Sequence, residues 1–273
     1  MRYREPSFSA MSFVRPTLSV FLFALASALH GQGVQLDQTF APVVSDGRAA
    51  GRFMALQPDG KILADNLRVR YNADGSLDST YTLGPALGVV TAGVRVSADG
   101  KIIVQSSTDH DDVLNELNPD GSLSRVLRAA VPNAASLAAL QPDGKILLTA
   151  PFAMTLNGVT RNGIARLNRD GSLDTTFDPG LGPQNGGGSV TLALQPDGKI
   201  LVGGLFKTFD GAPRGRLVRL NASGLVDLSF NYASTIAVES VNSIAVLPDG
   251  KILIVDITPP NSRLLRLNAD GST

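Results

Sequence analysis

Few residues in this sequence could do chemistry, and where they sit matters more than how many there are. The string Thr108-Asp109-His110-Asp111-Asp112 sets one imidazole among three carboxylates. Such a set could hold a cation or take up a proton, which makes His110 and Asp111 candidate ligand-binding residues. A Ser-His-Asp relay would have to use His110, and no Gly-x-Ser-x-Gly elbow accompanies it. The string occurs once, on a predicted hairpin link, and reads also as a solvated acidic loop. Asn168-Arg169-Asp170-Gly171-Ser172-Leu173-Asp174 has the outline of a calcium loop, with oxygen-bearing residues at alternate positions. It lacks the dense carboxylates and the closing Glu, and a turn whose Asp and Ser bond their own backbone accounts for it. Arg70, Arg166, Arg219 and Arg266 fall at one equivalent position, with Glu116 as the odd member. A ring of arginines could hold an anionic glycan, or it could pair neighbouring elements. Arg161 and Arg214 stand in two longer loops and are the other ligand-binding candidates. With aromatic residues at 5% and no Trp, a sugar-stacking platform lacks its usual material. No catalytic residue, metal or cofactor is expected.

The elements that must position these residues come from repetition. Ala139-Leu140-Gln141-Pro142-Asp143-Gly144-Lys145-Ile146-Leu147 returns almost letter for letter at 193–201 and 55–63, and more loosely at 95–103 and 245–253. These first turns occupy 58–61, 98–101, 142–145, 196–199 and 248–251. A second turn, Asn-x-Asp-Gly-Ser or a close variant, alternates with the first, centred on residues 74, 120, 170, 223 and 270. Proline presets φ, Asp accepts local backbone hydrogen bonds and Gly takes positive φ, so an Asp-Gly pair between apolar runs is a hairpin signal. Two interleaved turns at a period near 48 residues define one unit of four short strands, repeated five times. Four antiparallel strands per unit is a propeller blade. The fold class expected is all-β: a β-propeller of four-stranded antiparallel blades, with five repeat units.

Residues 1–31 read as a secretory signal peptide. Arg2, Arg4 and Arg15 precede the apolar run Leu-Ser-Val-Phe-Leu-Phe-Ala-Leu-Ala-Ser-Ala-Leu at 18–29. That run is too short to span a bilayer, which takes roughly 20 residues. Cleavage after Ala28 or near Gly31 fits, and Met11 is an alternative start. The expected location is extracellular, cell-surface or periplasmic, with no integral membrane segment after removal of the leader. Without it the chain holds 21 basic and 23 acidic residues, a balance that argues against a nucleic-acid partner. The sequence contains no cysteine, which excludes disulfides, thiolate chemistry and a lipid-anchored N-terminus.

The repeats resemble the delta-60 repeat, a bacterial β-propeller repeat of exported and surface proteins, across 34–273. The residues that carry it are Ala193-Leu194-Gln195-Pro196-Asp197-Gly198-Lys199-Ile200-Leu201-Val202-Gly203-Gly204-Leu205-Phe206 and Ile164-Ala165-Arg166-Leu167-Asn168-Arg169-Asp170-Gly171-Ser172-Leu173-Asp174-Thr175-Thr176-Phe177. Units one and two depart from it by losing the Gly-Gly-x-Phe segment and the loop that follows. The resemblance implies no activity and no catalytic residues. By analogy with other propellers, Met54, Val94, Ala138, Leu192 and Ile244 occupy one position near the channel wall. The last unit stops within its second turn, and Leu36-Asp37-Gln38-Thr39-Phe40 reads as the strand that would complete it and close the ring. The functional expectation is an exported non-enzymatic propeller that binds or scaffolds, its partner a glycan or a protein at the cell surface. A truncated structural segment of a larger surface or adhesion protein is the alternative, and a glycan-cleaving propeller enzyme a third reading. Function is expected where the repeats disagree, in the links at 108–112, 152–163 and 206–215.

Overall fold

The computed structural model describes residues 53–84, 87, 89–107, 112–132, 135–186, 190–232, 239–258 and 261–273. The chain separates into two compact units, Met1–Gln38 and Thr39–Thr273, and every described residue belongs to the second. The leader, the 36–40 segment, His110 and Asp111 lie outside the described residues. Among those described, no helix is long and apolar enough to cross a membrane.

The five repeat units each form one antiparallel sheet. Unit one holds β1 (Ala55–Leu56), β2 (Ile62–Ala64) and β3 (Val69–Tyr71); unit two holds β4 (Val89–Val96), β5 (Ile102–Ser107), β6 (Asp112–Leu117) and β7 (Leu123–Val131). Unit three holds β8 (Ser136–Leu140), β9 (Ile146–Leu156) and β10 (Val159–Leu167), and β11 (Pro183–Gln184) follows on the way to unit four. Unit four holds β12 (Thr191–Leu194), β13 (Ile200–Gly203), the short β14 (Thr208–Phe209) and β15 (Ala212–Pro213), and β16 (Leu217–Leu220). Unit five holds β17 (Ser240–Val246), β18 (Ile252–Thr258) and β19 (Asn261–Leu267). Strands pair in chain order within each sheet, while β11, β14 and β15 form a separate three-stranded sheet from the loops.

The expectation of four strands per unit is corrected. Only unit two has a four-stranded sheet among the described residues. In units one, three and four the fourth segment makes a single bridge to the third strand, at Tyr71–Leu77, Leu167–Leu173 and Leu220–Val226. The next residue is the cause. Asp78, Asp174 and Asp227 each accept at Oδ1 from the backbone N–H two residues on, which bends the chain. The N–H of Tyr81, Phe177 and Phe230 then donates to the carbonyl of that same Asp, closing a β-turn. Unit two has Ser124 in place of the aspartate, and β7 runs on for 9 residues.

The core lies between sheets. Alternate residues of a strand point to opposite faces, and here both faces are covered. Ile146 and Leu148 pack towards unit two, while Leu147 between them packs towards unit four. Ile200 and Val202 face unit three, and Leu201 faces unit five. This explains why the second strands read as unbroken apolar runs rather than alternating ones. The first strands of successive units lie against one another from β1 through β4, β8 and β12 to β17. Gly93, on β4, permits one of these approaches: a Cβ there would stand 2.9 Å from the carbonyl oxygen of Leu137.

Candidate functional site

Each first turn is built alike. The glycine N–H donates to the carbonyl three residues back, Gly144 to Gln141 at 2.9 Å and Gly198 to Gln195 at 3.0 Å. The turn aspartate accepts from the lysine N–H, Asp143 from Lys145 at 3.1 Å. The second turn behaves as its sequence suggested. Asp170 Oδ1 accepts from the Ser172 N–H at 2.9 Å and its hydroxyl at 2.6 Å, and Asn168 donates to Ser172 Oγ at 3.0 Å. These oxygens are engaged in holding the turn. Among the described residues no group of three His, Asp or Glu side chains is placed to hold a metal.

The arginine column joins neighbouring units. Arg166 Nε donates to Asp174 Oδ2 at 2.7 Å, and Lys145 Nζ reaches the same oxygen at 2.9 Å. The guanidinium lies 4.7 Å from the centre of the Phe177 ring. Its Nη1 donates across the gap to the carbonyl of Ala222, in the second turn of unit four, at 2.7 Å. Unit one repeats this with Arg70, Asp78, Lys61 and Tyr81, reaching Pro119 O at 2.6 Å. Unit four repeats it with Arg219, Asp227, Lys199 and Phe230, reaching Ala269 O at 2.7 Å. Both side chains of the Arg166–Asp174 pair are nearly inaccessible, at 6% and 5% exposure. The hydrogen bond from Lys61, and then that from Thr80, holds the Asp78 carboxyl well below the usual range. Burial pushes Asp174 up, but Thr176 and Lys145 outweigh it and leave the group low. Ser229 is the main cause of the lowering at Asp227, with Lys199 adding to it. Burial beside this cluster pushes the Tyr81 hydroxyl up to about 12. These arginines are therefore neutralised and spent on structure.

Unit two keeps the contact with its charges exchanged. Glu116 stands at the arginine position, and Arg125 of β7 pairs with it at 2.9 Å. Arg125 Nη2 then donates to the carbonyl of Arg169 in unit three at 2.7 Å. Lys101, without an aspartate to meet, reaches Asn118 Oδ1 and Ser124 Oγ. A cavity of about 220 Å³ lies beside this exchanged pair, against Asp99, Lys101, Glu116 and Arg169.

Of the expected ligand residues, Arg161 is buried. It lies on β10, is 7% exposed, and donates to Phe177 O at 3.1 Å and Thr160 O at 3.2 Å. Arg214 is half-buried and lines a cavity of about 210 Å³ with Arg219, Asp227, Phe230 and Tyr232. The two arginines line no common cavity. The links they sit in are ordered. The turn at 178–182 bonds Asp210 and Asn162, and β11 pairs with β14.

A cavity larger than these two lies at the first-turn ends of the units, not in the links. It is an open concavity of about 490 Å³ where the first-turn ends of units two to five converge. Val96, Leu140, Leu194 and Val246 form one tier, Ser97, Gln141, Gln195 and Leu247 the next, and Ala98, Pro142, Pro196 and Pro248 the rim. No charged side chain contributes to this lining. The first tier lies two residues nearer the turn than the positions expected at the channel wall. Its fifth equivalent, Leu56, is 60% exposed and stands outside the wall. Sequence reasoning missed this site because its residues belong to the repeat itself and looked fully used by the turns.

Comparison with known proteins bears on the fold. Among curated proteins none matches this sequence. A TolB candidate from Agrobacterium tumefaciens is similar in structure, with 15% identity, a TM-score of 0.50, and coverage of 81% of this chain and 77% of that one. A gluconolactonase candidate is 18% identical at a TM-score of 0.47, covering 84% of this chain and 77% of its own. A gluconolactonase from Xanthomonas campestris is 18% identical at a TM-score of 0.46, covering 78% and 70%. At such identities the likeness concerns fold alone. It still corrects one expectation: with proteins described as gluconolactonases among those of similar form, the assignment of this chain as a non-enzyme does not stand. Residues 68–81, 141–177, 195–230 and 247–273 match the model of the family described as a domain of unknown function (DUF5122) β-propeller. The repeats of this all-β chain are thus β-propeller repeats, and those four segments carry the pattern of that family.

Proposed function

We propose that this chain is an exported binding propeller of five blades that takes a small ligand at the central cavity on its turn face. The observation that carries the reading is that cavity, about 490 Å³ walled by equivalent residues of four units. Ligand sites of proteins are mostly apolar concavities of roughly 300–1,000 Å³ with a few polar groups. Here Val96, Leu140, Leu194 and Val246 supply the apolar wall, and Ser97, Gln141 and Gln195 the polar groups. An ion would meet no countercharge in that lining. The ligand class is therefore uncharged, with an apolar face. Export rests on the leader at 1–31.

The test uses residues 32–273 and the Leu194→Lys variant of the same chain. Each is titrated with N-phenylnaphthylamine, a neutral apolar fluorophore, and applied to an array of neutral glycans. Binding by the parent that the variant loses, at matched thermal stability, supports the cavity. Equal signals from both proteins, or no signal from either, would sink it.

A further inference from the structure

Three of the four junctions between successive units are filled alike. At each, an arginine lies over an aromatic ring, 4.7–4.9 Å from its centre: Arg70 over Tyr81, Arg166 over Phe177 and Arg219 over Phe230. The ring packs in one cluster with a second-strand residue of its own unit and a first-strand residue of the next. These are Leu63 and Val96 for Tyr81, Leu147 and Leu194 for Phe177, and Leu201 and Val246 for Phe230. Between units two and three the corresponding wall is Ile103 and Leu140. There Glu116 stands for the arginine and Leu127 for the ring. Leu127 follows Leu123 by the same four residues that separate Tyr81, Phe177 and Phe230 from Leu77, Leu173 and Val226. A guanidinium and a ring are thus exchanged for a shorter carboxylate and a smaller side chain. The cavity of about 220 Å³ opens at this junction, with Ile103, Leu140 and Glu116 in its lining.

The polar side of the lining favours a donor. Gln141 also lines this cavity, is 8% exposed, and its Oε1 has no hydrogen-bond partner. A buried acceptor left unpaired is costly, and the terminal torsion of a glutamine is soft enough to turn it towards a donor. The two cations of the lining are already engaged, Lys101 with Asn118 and Ser124, and Arg169 with Asp99. With Asp99, Glu116 and Asp143 against Lys101 and Arg169, the lining carries an excess of negative charge. We propose that this cavity binds a small aromatic cation. Its ring packs against Ile103 and Leu140 as Phe177 packs against Leu147 and Leu194, and its amidinium or ammonium group donates to Glu116 and to Gln141 Oε1. The ligand supplies what the other three junctions hold as side chains, a ring and a cation. This site goes beyond the neutral-ligand reading of the central cavity, with which it shares Leu140 and Gln141 but neither Ile103 nor Glu116.

The test titrates residues 32–273 with benzamidine and with benzamide, its neutral counterpart, by calorimetry. Benzamidine should bind saturably and benzamide about tenfold more weakly, the difference a charge-assisted hydrogen bond makes. Glu116→Gln should weaken benzamidine by a similar factor and leave N-phenylnaphthylamine binding unchanged. Equal binding of the two compounds, benzamidine binding indifferent to Glu116→Gln, or no saturable binding would overturn the proposal. Glu116→Gln leaves Arg125 without its partner, so a second measurement needs no variant. In the parent, nuclear Overhauser effects should run from the benzamidine ring protons to the Ile103 methyl groups. Effects to other methyl groups alone would place the compound elsewhere and overturn the site. Naphthylamine binding lost to Leu194→Lys reports on the central cavity, and contacts to Ile103 on this one, so either reading can fail while the other stands.

Discussion

At the residue scale the aspartates of the corners bear the largest consequences. Asp174 meets Lys145, Arg166 and Thr176 within hydrogen-bond distance while almost inaccessible. Removing one partner of a buried pair leaves the others uncompensated, which costs about 3–5 kcal/mol. Asp174→Ala should lose that much in urea denaturation. Asp99→Ala breaks the exposed pair with Arg169, 3.2 Å long with 58% and 53% exposure, and the hydrogen bond from the Ser97 hydroxyl, and should lose less, about 1–2 kcal/mol. The same aspartates set the acid limit. Their folded carboxyls are held low, while an unfolded Asp titrates near pH 4. A depressed folded value stabilises above the unfolded one and is lost as pH falls through the folded one. Thermal midpoints should therefore be flat from pH 7 to about 5 and drop steadily below it. A midpoint insensitive to pH down to about 2 would contradict this role for Asp78, Asp174 and Asp227. The arginine positions were legible in the sequence as an aligned column. Their partners were not, because Leu-Asp-x-Thr-Phe alternates like a strand and hides the side-chain hydrogen bond that turns it. The burial of Arg161 was hidden for a different reason. A loop longer than its counterparts suggested exposure, yet β9 and β10 extend through it and bury the side chain.

At the element scale the two turns differ in what surrounds them. Gly198 and Gly224 both have positive φ, +81° and +93°. A Cβ at Gly198 would meet nothing within 4 Å, whereas one at Gly224 would stand 2.8 Å from the backbone of Asp178, in the preceding unit. Gly198→Ala should cost on the order of 1 kcal/mol, the conformational term alone. Gly224→Ala should cost clearly more, since the fourth segment of unit three must move. Parallel melts of the two variants check the difference. Unit two offers a charge exchange as a further check. Glu116→Arg would set a guanidinium against Arg125, and the added Arg125→Glu should recover most of the loss. If the double variant is no better than the single, the pairing across β6 and β7 is not what holds that corner. Turn spacing marks the hairpins of five of the six sheets among the described residues. The three-strand outcome was not legible, because the deciding contact is a side-chain hydrogen bond inside a segment that otherwise alternates like a strand.

At the scale of the whole molecule, no sheet owns its core. Phe177 packs with Ile200, Val202 and Leu220 of the next unit, while Leu167, of its own unit, packs towards the previous one. Phe177→Ala should therefore lower stability by about 3–5 kcal/mol in a single transition. Calorimetry that resolved separate melting of units would count against a shared core. The central cavity belongs to this scale as well. Its wall exists only when four units stand side by side, so no single repeat announces it. The sequence drew attention to the variable links, and the space opened where the invariant turns meet.

One property of the corners has a consequence beyond stability. Every reach is in the same direction: Arg70 to unit two, Arg125 to unit three, Arg166 to unit four, Arg219 to unit five. The interface is therefore head-to-tail, with a donor face and an acceptor face that differ on each unit. Such an interface has no self-complementary stopping point; it ends only by meeting its own beginning, and otherwise it propagates. A donor face and an acceptor face thus meet at each junction from unit one to unit five. A repeat added to such an array would make the same contact again, in the same direction.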